Sequence, residues 1–244
     1  MNNRFFSKLA ASNIRKNGKA YIPYILSCVM TVALFYIVKS LSYNPGLKNM
    51  VGSSTMMTMM SMCSVIIALF AIVFLFYTNS FLMKRRKKEF GVFNILGMEK
   101  SHIAKTMAWE NFYVTLISIV GGLVIGIALD KAMFLLIAQV LNEEITLGFF
   151  ISDKAIISTI VMFCVIFLLI LLNSIRQIHT ANPIELITAG NAGEREPKTK
   201  WVLTILGLLS LGAGYYIALT IENPLTALVY FFFAVILVII GTYM

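Results

Sequence analysis

Long apolar runs alternate with short polar segments along the whole chain. Six largely uncharged runs approach or exceed the roughly 20 helical residues that a bilayer crossing takes, and they occupy residues 21–38, 56–82, 103–129, 155–173, 201–221 and 225–244. A segment in hydrocarbon must satisfy its own backbone hydrogen bonds, so each run should be helical. The pattern therefore predicts an all-α, polytopic membrane protein with about six transmembrane helices.

The composition favours a membrane protein over a soluble one. Of the 244 residues, 59% are hydrophobic and 13% are charged, whereas a soluble domain carries about 25% charged residues. The formal net charge of +9 raises nucleic acid as a partner, but the basic residues cluster at the ends of the apolar runs. That arrangement is typical of contact with membrane lipids, so we expect no nucleic acid partner.

The basic residues also predict which side of the membrane each polar segment faces. If the six spans alternate in direction, sixteen Lys and Arg residues lie on one side and four on the other. Cytoplasmic loops carry the excess of positive charge. Both termini of the chain are therefore expected in the cytoplasm.

Residues 1–20 precede the first span, 21–38, and are predicted to form a basic amphipathic helix. At about 100° per residue, one narrow sector of this helix holds four cations, Arg4, Lys8, Arg15 and Lys19. We expect the helix to lie on the cytoplasmic surface of the membrane. A poorly ordered basic N-terminus is the alternative.

A polar segment, residues 83–102, separates the second and third spans and contains five consecutive basic residues at 84–88. Hydrocarbon does not accommodate this density of charge, so the segment is expected in water against the cytoplasmic face. The preceding run, 56–82, is longer than the bilayer requires. Its helix should tilt or extend past the membrane into the basic residues.

The third span carries two features that concern helix packing and buried charge. Ser118, Gly122 and Gly126 recur every four residues, which predicts a face on which another helix packs closely. Glu110 lies within the apolar run near its cytoplasmic end, and we expect an interfacial glutamate there. A buried, functional carboxylate is the alternative.

The sequence contains no recognisable catalytic constellation. Gly91 and Gly97 do not have the spacing of a phosphate-binding loop, and they precede Met98-Glu99 instead of the Lys-Ser/Thr pair that such a loop needs. The three cysteines fall inside apolar runs without partners at metal-ligand spacing. We predict that the chain is not an enzyme and binds no cofactor or metal.

The second long cytoplasmic segment spans residues 176–200. Asn182 followed by Pro183 is the signature of a helix N-cap and first helical position, so a short helix from 183 to about 188 is expected there. A charged linker follows it. Residues 201–244 then hold the last two predicted spans.

Residues 84–100 read Lys-Arg-Arg-Lys-Lys-Glu-Phe-Gly-Val-Phe-Asn-Ile-Leu-Gly-Met-Glu-Lys. This stretch resembles the coupling segment of FtsX-like ABC transporter permeases, and its Asn-Ile-Leu-Gly-Met-Glu-Lys end is most similar to the Bce-type, bacitracin-export permeases of Gram-positive bacteria. The openings at 5–17 and the stretch 182–187 resemble the same family. The permease domain core would then span residues 56–175, with the segment 83–102 as its coupling segment.

The resemblance implies a permease subunit of the bacterial plasma membrane that works with a separate ABC ATPase subunit. Its implied ATPase-coupling residues are Lys88, Glu89, Phe90, Gly91, Phe93, Leu96 and Gly97, with a second contact at Pro183, Ile184 and Glu185. It also implies substrate handling at the outer membrane leaflet. Permeases of this type confer resistance to peptide antibiotics and signal to a sensor histidine kinase.

The chain departs from the family in one respect. Bce-type permeases have further spans and a large extracellular domain in their second half, so we expect this chain to be a fragment of a longer protein. The alternative is a truncated, non-transporting membrane protein that binds a sensor histidine kinase.

Overall fold

The computed structural model describes residues 3–48, 52–95, 97–140, 151–180, 201–220 and 224–243. Within these ranges the regular secondary structure is entirely helical. The helices are α1 (Asn3–Lys16), α2 (Gly18–Tyr43), α3 (Pro45–Lys48), α4 (Ser53–Ile95), α5 (Lys100–Val140), α6 (Asp153–Thr180), α7 (Trp201–Leu219) and α8 (Pro224–Tyr243).

Five of the described helices contain segments long and apolar enough to cross a membrane. They are Gly18–Tyr43, Ser53–Arg86, Lys100–Leu136, Asp153–Ile178 and Trp201–Leu219. Helix α8 adds a shorter apolar stretch, Tyr230–Thr242, where the sixth span was predicted. The prediction of an all-α, polytopic membrane protein is confirmed.

Three of the membrane helices continue beyond their apolar runs. Helix α4 is unbroken over 43 residues and carries the basic residues 84–88 within it, which confirms the predicted extension. Helix α5 runs for 41 residues to Val140, so the apolar stretch after residue 131 continues the third helix. Helix α6 likewise extends to Thr180.

Helix α1 is separate from α2 and packs against protein. The side chains of Phe6 and Ala10 are buried, and the Phe6 ring stacks on His102 of α5 with centroids 5.6 Å apart. The four cations of the predicted sector are exposed. The apolar face therefore contacts α5, where the sequence pattern suggested the membrane surface. An amphipathic face is satisfied equally by lipid and by a neighbouring helix, and the pattern alone does not distinguish them.

The chain divides into two compact units, residues 1–193 and 194–244. The core of the first unit lies between α2, α4, α5 and α6. Its buried side chains include Cys28, Val32, Phe35, Ala71, Leu75, Val114, Phe163, Ile166, Phe167 and Ile170. Large apolar side chains on the opposite faces of the same helices are exposed, as lipid contact requires.

Helices α2 and α5 run in the same direction and approach closely along the predicted small-residue stripe. A methyl group added at Gly122 would lie 2.5 Å from Cβ of Val32, and one added at Gly126 would lie 2.8 Å from Cδ1 of Tyr36. Ser118 is fully buried on the same stripe. The absence of Cβ atoms at the two glycines thus permits the spacing of the two helices.

The second unit is a hairpin of α7 and α8. Ser210 donates a hydrogen bond to the backbone carbonyl of Leu237 (2.7 Å). Close packing again depends on glycine, because a methyl group at Gly241 would lie 2.8 Å from the carbonyl oxygen of Gly207. Small residues and this interhelical hydrogen bond help to hold the pair together.

We predict that Gly122→Ala weakens the α2–α5 contact, because the new methyl group overlaps Val32. Overpacking of this kind costs about 1–3 kcal/mol, and a lower midpoint of thermal unfolding in detergent should report it. Gly121→Ala is the matched control, because its methyl group would lie 3.4 Å from Val29. Equal midpoints for the two variants would contradict the close approach at Gly122.

Candidate functional site: a buried ion pair beside the coupling segment

One member of the basic block, Arg86, points into the helix bundle. The residue is 3% exposed and pairs with Glu110 of α5, which is 2% exposed. Nη2 of Arg86 donates to Oε1 of Glu110 at 3.0 Å, and Nη1 contacts both the other carboxylate oxygen and the Tyr21 hydroxyl. Nε of Arg86 donates to Oε2 of Glu89 at 3.2 Å. Each of the three guanidinium nitrogens therefore has a hydrogen-bond partner.

The carboxylate of Glu110 collects donors from three other helices. Asn13 of α1 donates from Nδ2 to Oε1, and the Tyr21 hydroxyl of α2 donates to Oε2, each at 2.9 Å. With Arg86 of α4, the carboxylate links four helices at one point. The Arg86 guanidinium also lies 4.9 Å from the centroid of the Phe90 ring. We call Asn13, Tyr21, Arg86 and Glu110 the four-helix junction.

The burial of Glu110 corrects the expectation of an interfacial glutamate. A lone buried carboxylate would be strongly unfavourable, but an opposite charge and two neutral donors compensate the lost solvation here. Arg86 corrects the picture of a uniformly hydrated basic block in the same way. Neither residue could be placed from composition, because the compensation comes from side chains distant in the sequence.

Two further polar contacts lie close to the four-helix junction. Asn79 of α4 donates to the Ser174 hydroxyl of α6 at 2.9 Å, and Asn111 of α5 donates to the backbone carbonyl of Phe167 at 3.3 Å. These side chains, with Arg86 and Glu110, line a cavity of about 30 Å³. The space suits about one or two water molecules and is too small for a larger ligand.

The coupling segment ends α4 with a glycine cap. Gly97 has φ +87°, and the Met98 N–H donates to the carbonyl of Phe93 at 2.9 Å. This is the pattern of a Schellman motif, in which a residue at positive φ closes the helix. Glycine reaches this conformation without strain, so the Leu-Gly-Met sequence has a structural role as a helix stop.

The inner face of the coupling segment packs into the bundle. Phe90 is 2% exposed and belongs to an apolar cluster with Met83, Ile103, Met107 and Ile178. Phe93 and Met98 pack against this cluster. Gly91 is also buried. Of the residues implied to couple to an ATPase, Phe90, Gly91 and Phe93 thus contact the chain itself in this structure.

The outer face of the segment presents other residues. The Glu89 side chain is half exposed while accepting the hydrogen bond from Arg86, Val92 is 49% exposed, and Gly97 and Glu99 are exposed. The side chain of Lys88 lies outside the described part of the structure, as does Leu96. Pro183, Ile184 and Glu185, with the expected helix from 183, also lie outside the described residues.

The described residues offer no metal centre: across the ranges given above, no three His, Cys, Asp or Glu side chains come close enough to share an ion. The site is therefore built from a buried charge pair, its neutral donors and a helical segment that leads from it to the surface.

Comparison with known proteins identifies this architecture. The model of the FtsX-like permease C-terminal domain matches residues 61–183, about half of the chain. The chain belongs to the FtsX-like permease family. This is the family that the sequence of residues 84–100 resembles. The described membrane helices and the permease relatives show that this FtsX-like permease is a multi-pass protein of the bacterial cell membrane.

Relatives of this FtsX-like permease extend the likeness to nearly its whole length. It is 34% identical to the uncharacterized ABC transporter permease YvcS of Bacillus subtilis over 238 residues, which cover 96% of the chain and 36% of YvcS. It is 29% identical to the bacitracin export permease protein BceB of Halalkalibacterium halodurans, covering 96% of the chain and 38% of that protein. The chain spans about a third of the length of the relatives it matches.

We predict that removing one partner of the ion pair leaves a buried charge without compensation. Arg86→Met or Glu110→Leu alone should lower the free energy of unfolding by about 3–5 kcal/mol, while the double variant should lose less than the sum of the two. Thermal unfolding of the four proteins in detergent forms a double-mutant cycle. Lys84→Met, at an exposed neighbour on α4, should have almost no effect. Additive losses in the double variant would contradict the pairing.

Proposed function

We propose that this FtsX-like permease is the transmembrane subunit of an ABC transporter, in which a separate ATPase subunit docks on the outer face of the coupling segment. The observation that carries the proposal is the continuity of the coupling segment with a membrane helix. Helix α4 is unbroken from Ser53 to Ile95, so displacement of its cytoplasmic end moves the part that lies in the membrane.

The contacts of the coupling segment support transmission to the other helices. Arg86 connects α4 to α1, α2 and α5 through the four-helix junction, and Phe90 packs beside Ile178 of α6. A force on residues 89–97 would therefore reach four neighbouring helices through buried contacts. Buried, fully satisfied polar groups resist rearrangement, so the junction should transmit motion without yielding.

The coupling segment packs one face into the bundle and exposes the other, and this arrangement supports ATPase docking. Phe90 and Gly91 are buried in the bundle, whereas Glu89, Val92, Gly97 and Glu99 are among the described residues that a partner can reach. The chain has no phosphate-binding loop. ATP hydrolysis would accordingly occur in the separate subunit, with this chain as the responding element.

The nature of the substrate is proposed from the relatives. Two of them are named bacitracin export permeases, which favours a peptide antibiotic acted on at the outer membrane leaflet, for resistance or for sensing through a partner histidine kinase. The excess of basic residues on one side supports a cytoplasmic location for the coupling segment. There it would meet an ATPase.

The docking proposal predicts that Val92→Arg weakens association with the ATPase while leaving the fold intact. Val92 is exposed on the coupling segment, and an arginine at the centre of an apolar contact should weaken binding about thirtyfold, as for other interface hot spots. Co-purification of an ABC ATPase subunit, co-expressed with the full-length permease, measures the effect.

Ala11→Arg is the matched control, because Ala11 is an exposed apolar residue of α1 and lies outside the coupling segment. It should retain the ATPase, and both variants should unfold at the wild-type temperature. Undiminished ATPase recovery with Val92→Arg would contradict docking at this face. Recovery of a sensor histidine kinase without any ATPase would instead favour a non-transporting interaction protein.

A further inference from the structure

An open groove runs between α2 and α4 on the outer surface of the first unit. Its volume is about 410 Å³, within the range of roughly 300–1,000 Å³ that small-molecule sites occupy. The groove shares Tyr24 and Leu82 with the smaller polar cavity beside the four-helix junction, which has water-sized dimensions. Its wall includes Pro23 and Ser27 from α2 and Tyr77 and Phe81 from α4.

The two ends of the groove differ in charge. Lys19 of α2 and Arg85 of α4 both line it at one end, and both are exposed. The Arg85 guanidinium lies 4.6 Å from the centroid of the Phe81 ring, which holds it over the groove. Among the residues that line the groove there is no carboxylate. The two cations are thus placed to bind an anion from outside.

The depth of the cations matches that of lipid headgroups. Lys19 lies just before the first apolar run, 21–38, and Arg85 just after the second, 56–82. The ends of two antiparallel spans therefore bring both charges to the membrane interface. Tyr77 and Phe81 lie farther along the groove, inside the span of α4.

The body of the groove is mainly apolar, although the hydroxyl groups of Ser27 and Thr78 lie along it. Ser27 donates to the carbonyl of Pro23 at 2.8 Å, and Thr78 donates to the carbonyl of Phe74 at 2.9 Å. Both hydroxyls satisfy their own helix and leave aliphatic and aromatic surface toward the lipid. Tyr77 is 72% exposed and Phe81 is 52% exposed along this wall. An acyl chain matches such a surface.

We propose that the groove binds an anionic phospholipid, with its phosphate held between Lys19 and Arg85 and one acyl chain lying along Pro23, Ser27, Tyr77 and Phe81. A phospholipid suits the groove because the two cations and the apolar wall are contiguous. The proposal does not rest on an ATPase partner. Adjacent residues of one basic block then have separate roles: Arg86 stabilises the bundle and Arg85 recruits lipid.

Native mass spectrometry of the full-length protein in detergent, titrated with phosphatidylglycerol or with phosphatidylcholine, tests the site. The wild type should retain phosphatidylglycerol preferentially. Lys19→Gln and Arg85→Gln should each weaken its retention about fivefold, because one cation near an anionic lipid contributes about that much affinity. The double variant should weaken retention about thirtyfold. Lys16→Gln with Lys84→Gln, two exposed cations that do not line the groove, should stay within about twofold of wild type.

A second variant tests the acyl part of the site while both cations are kept. Ser27→Phe fills the groove and should also reduce phosphatidylglycerol retention, whereas Met30→Phe, at a lipid-facing position outside the groove, should not. Equal retention of the two lipids by the wild type would overturn the proposal. So would equal losses in the groove and control pairs, or an unchanged affinity in Ser27→Phe, which would indicate a site for phosphate alone.

Discussion

The buried pair of Arg86 and Glu110 is the constraint around which the first unit is arranged. Two charges in an apolar interior are tolerated only if each keeps its full set of partners. Asn13, Tyr21 and Glu89 supply these partners, so α1, α2 and α4 must meet α5 at one level. The end of the coupling helix is thereby fixed relative to the membrane helices, and Phe90 reaches its apolar pocket as a consequence.

The sequence predicted the elements of this fold better than their contacts. Apolar runs located the spans because hydrocarbon imposes a length and a composition that any sequence must obey. The extension of α4 into the basic block followed from the same length argument. The sequence did not predict what the apolar face of α1 contacts, since lipid and a neighbouring helix select the same amphipathic pattern.

Arg86 could have been placed by following helix periodicity through the charged block. Leu75, Asn79, Leu82, Arg86 and Phe90 are spaced by three or four residues and form one buried stripe of α4. Five adjacent charges obscured this register, because a cluster of like charges suggests uniform hydration. The same register places Phe90 inward and Val92 outward, so a motif that resembles a docking surface as a whole divides into a packing face and an exposed face.

The parallel pair of α2 and α5 limits how such a permease can move. Tyr21 and Glu110 join the two helices at one end, and Ser40 and Asp130 join them at the other. Between these bonds the helices touch at Gly122, with no room for a side chain. Sliding one of these helices past the other by one turn, about 5.4 Å, would break both hydrogen bonds. It would also move Val32 away from Gly122. The two helices therefore form one rigid pair, and because the four-helix junction ties α4 to it, a displacement of α4 would carry the pair along.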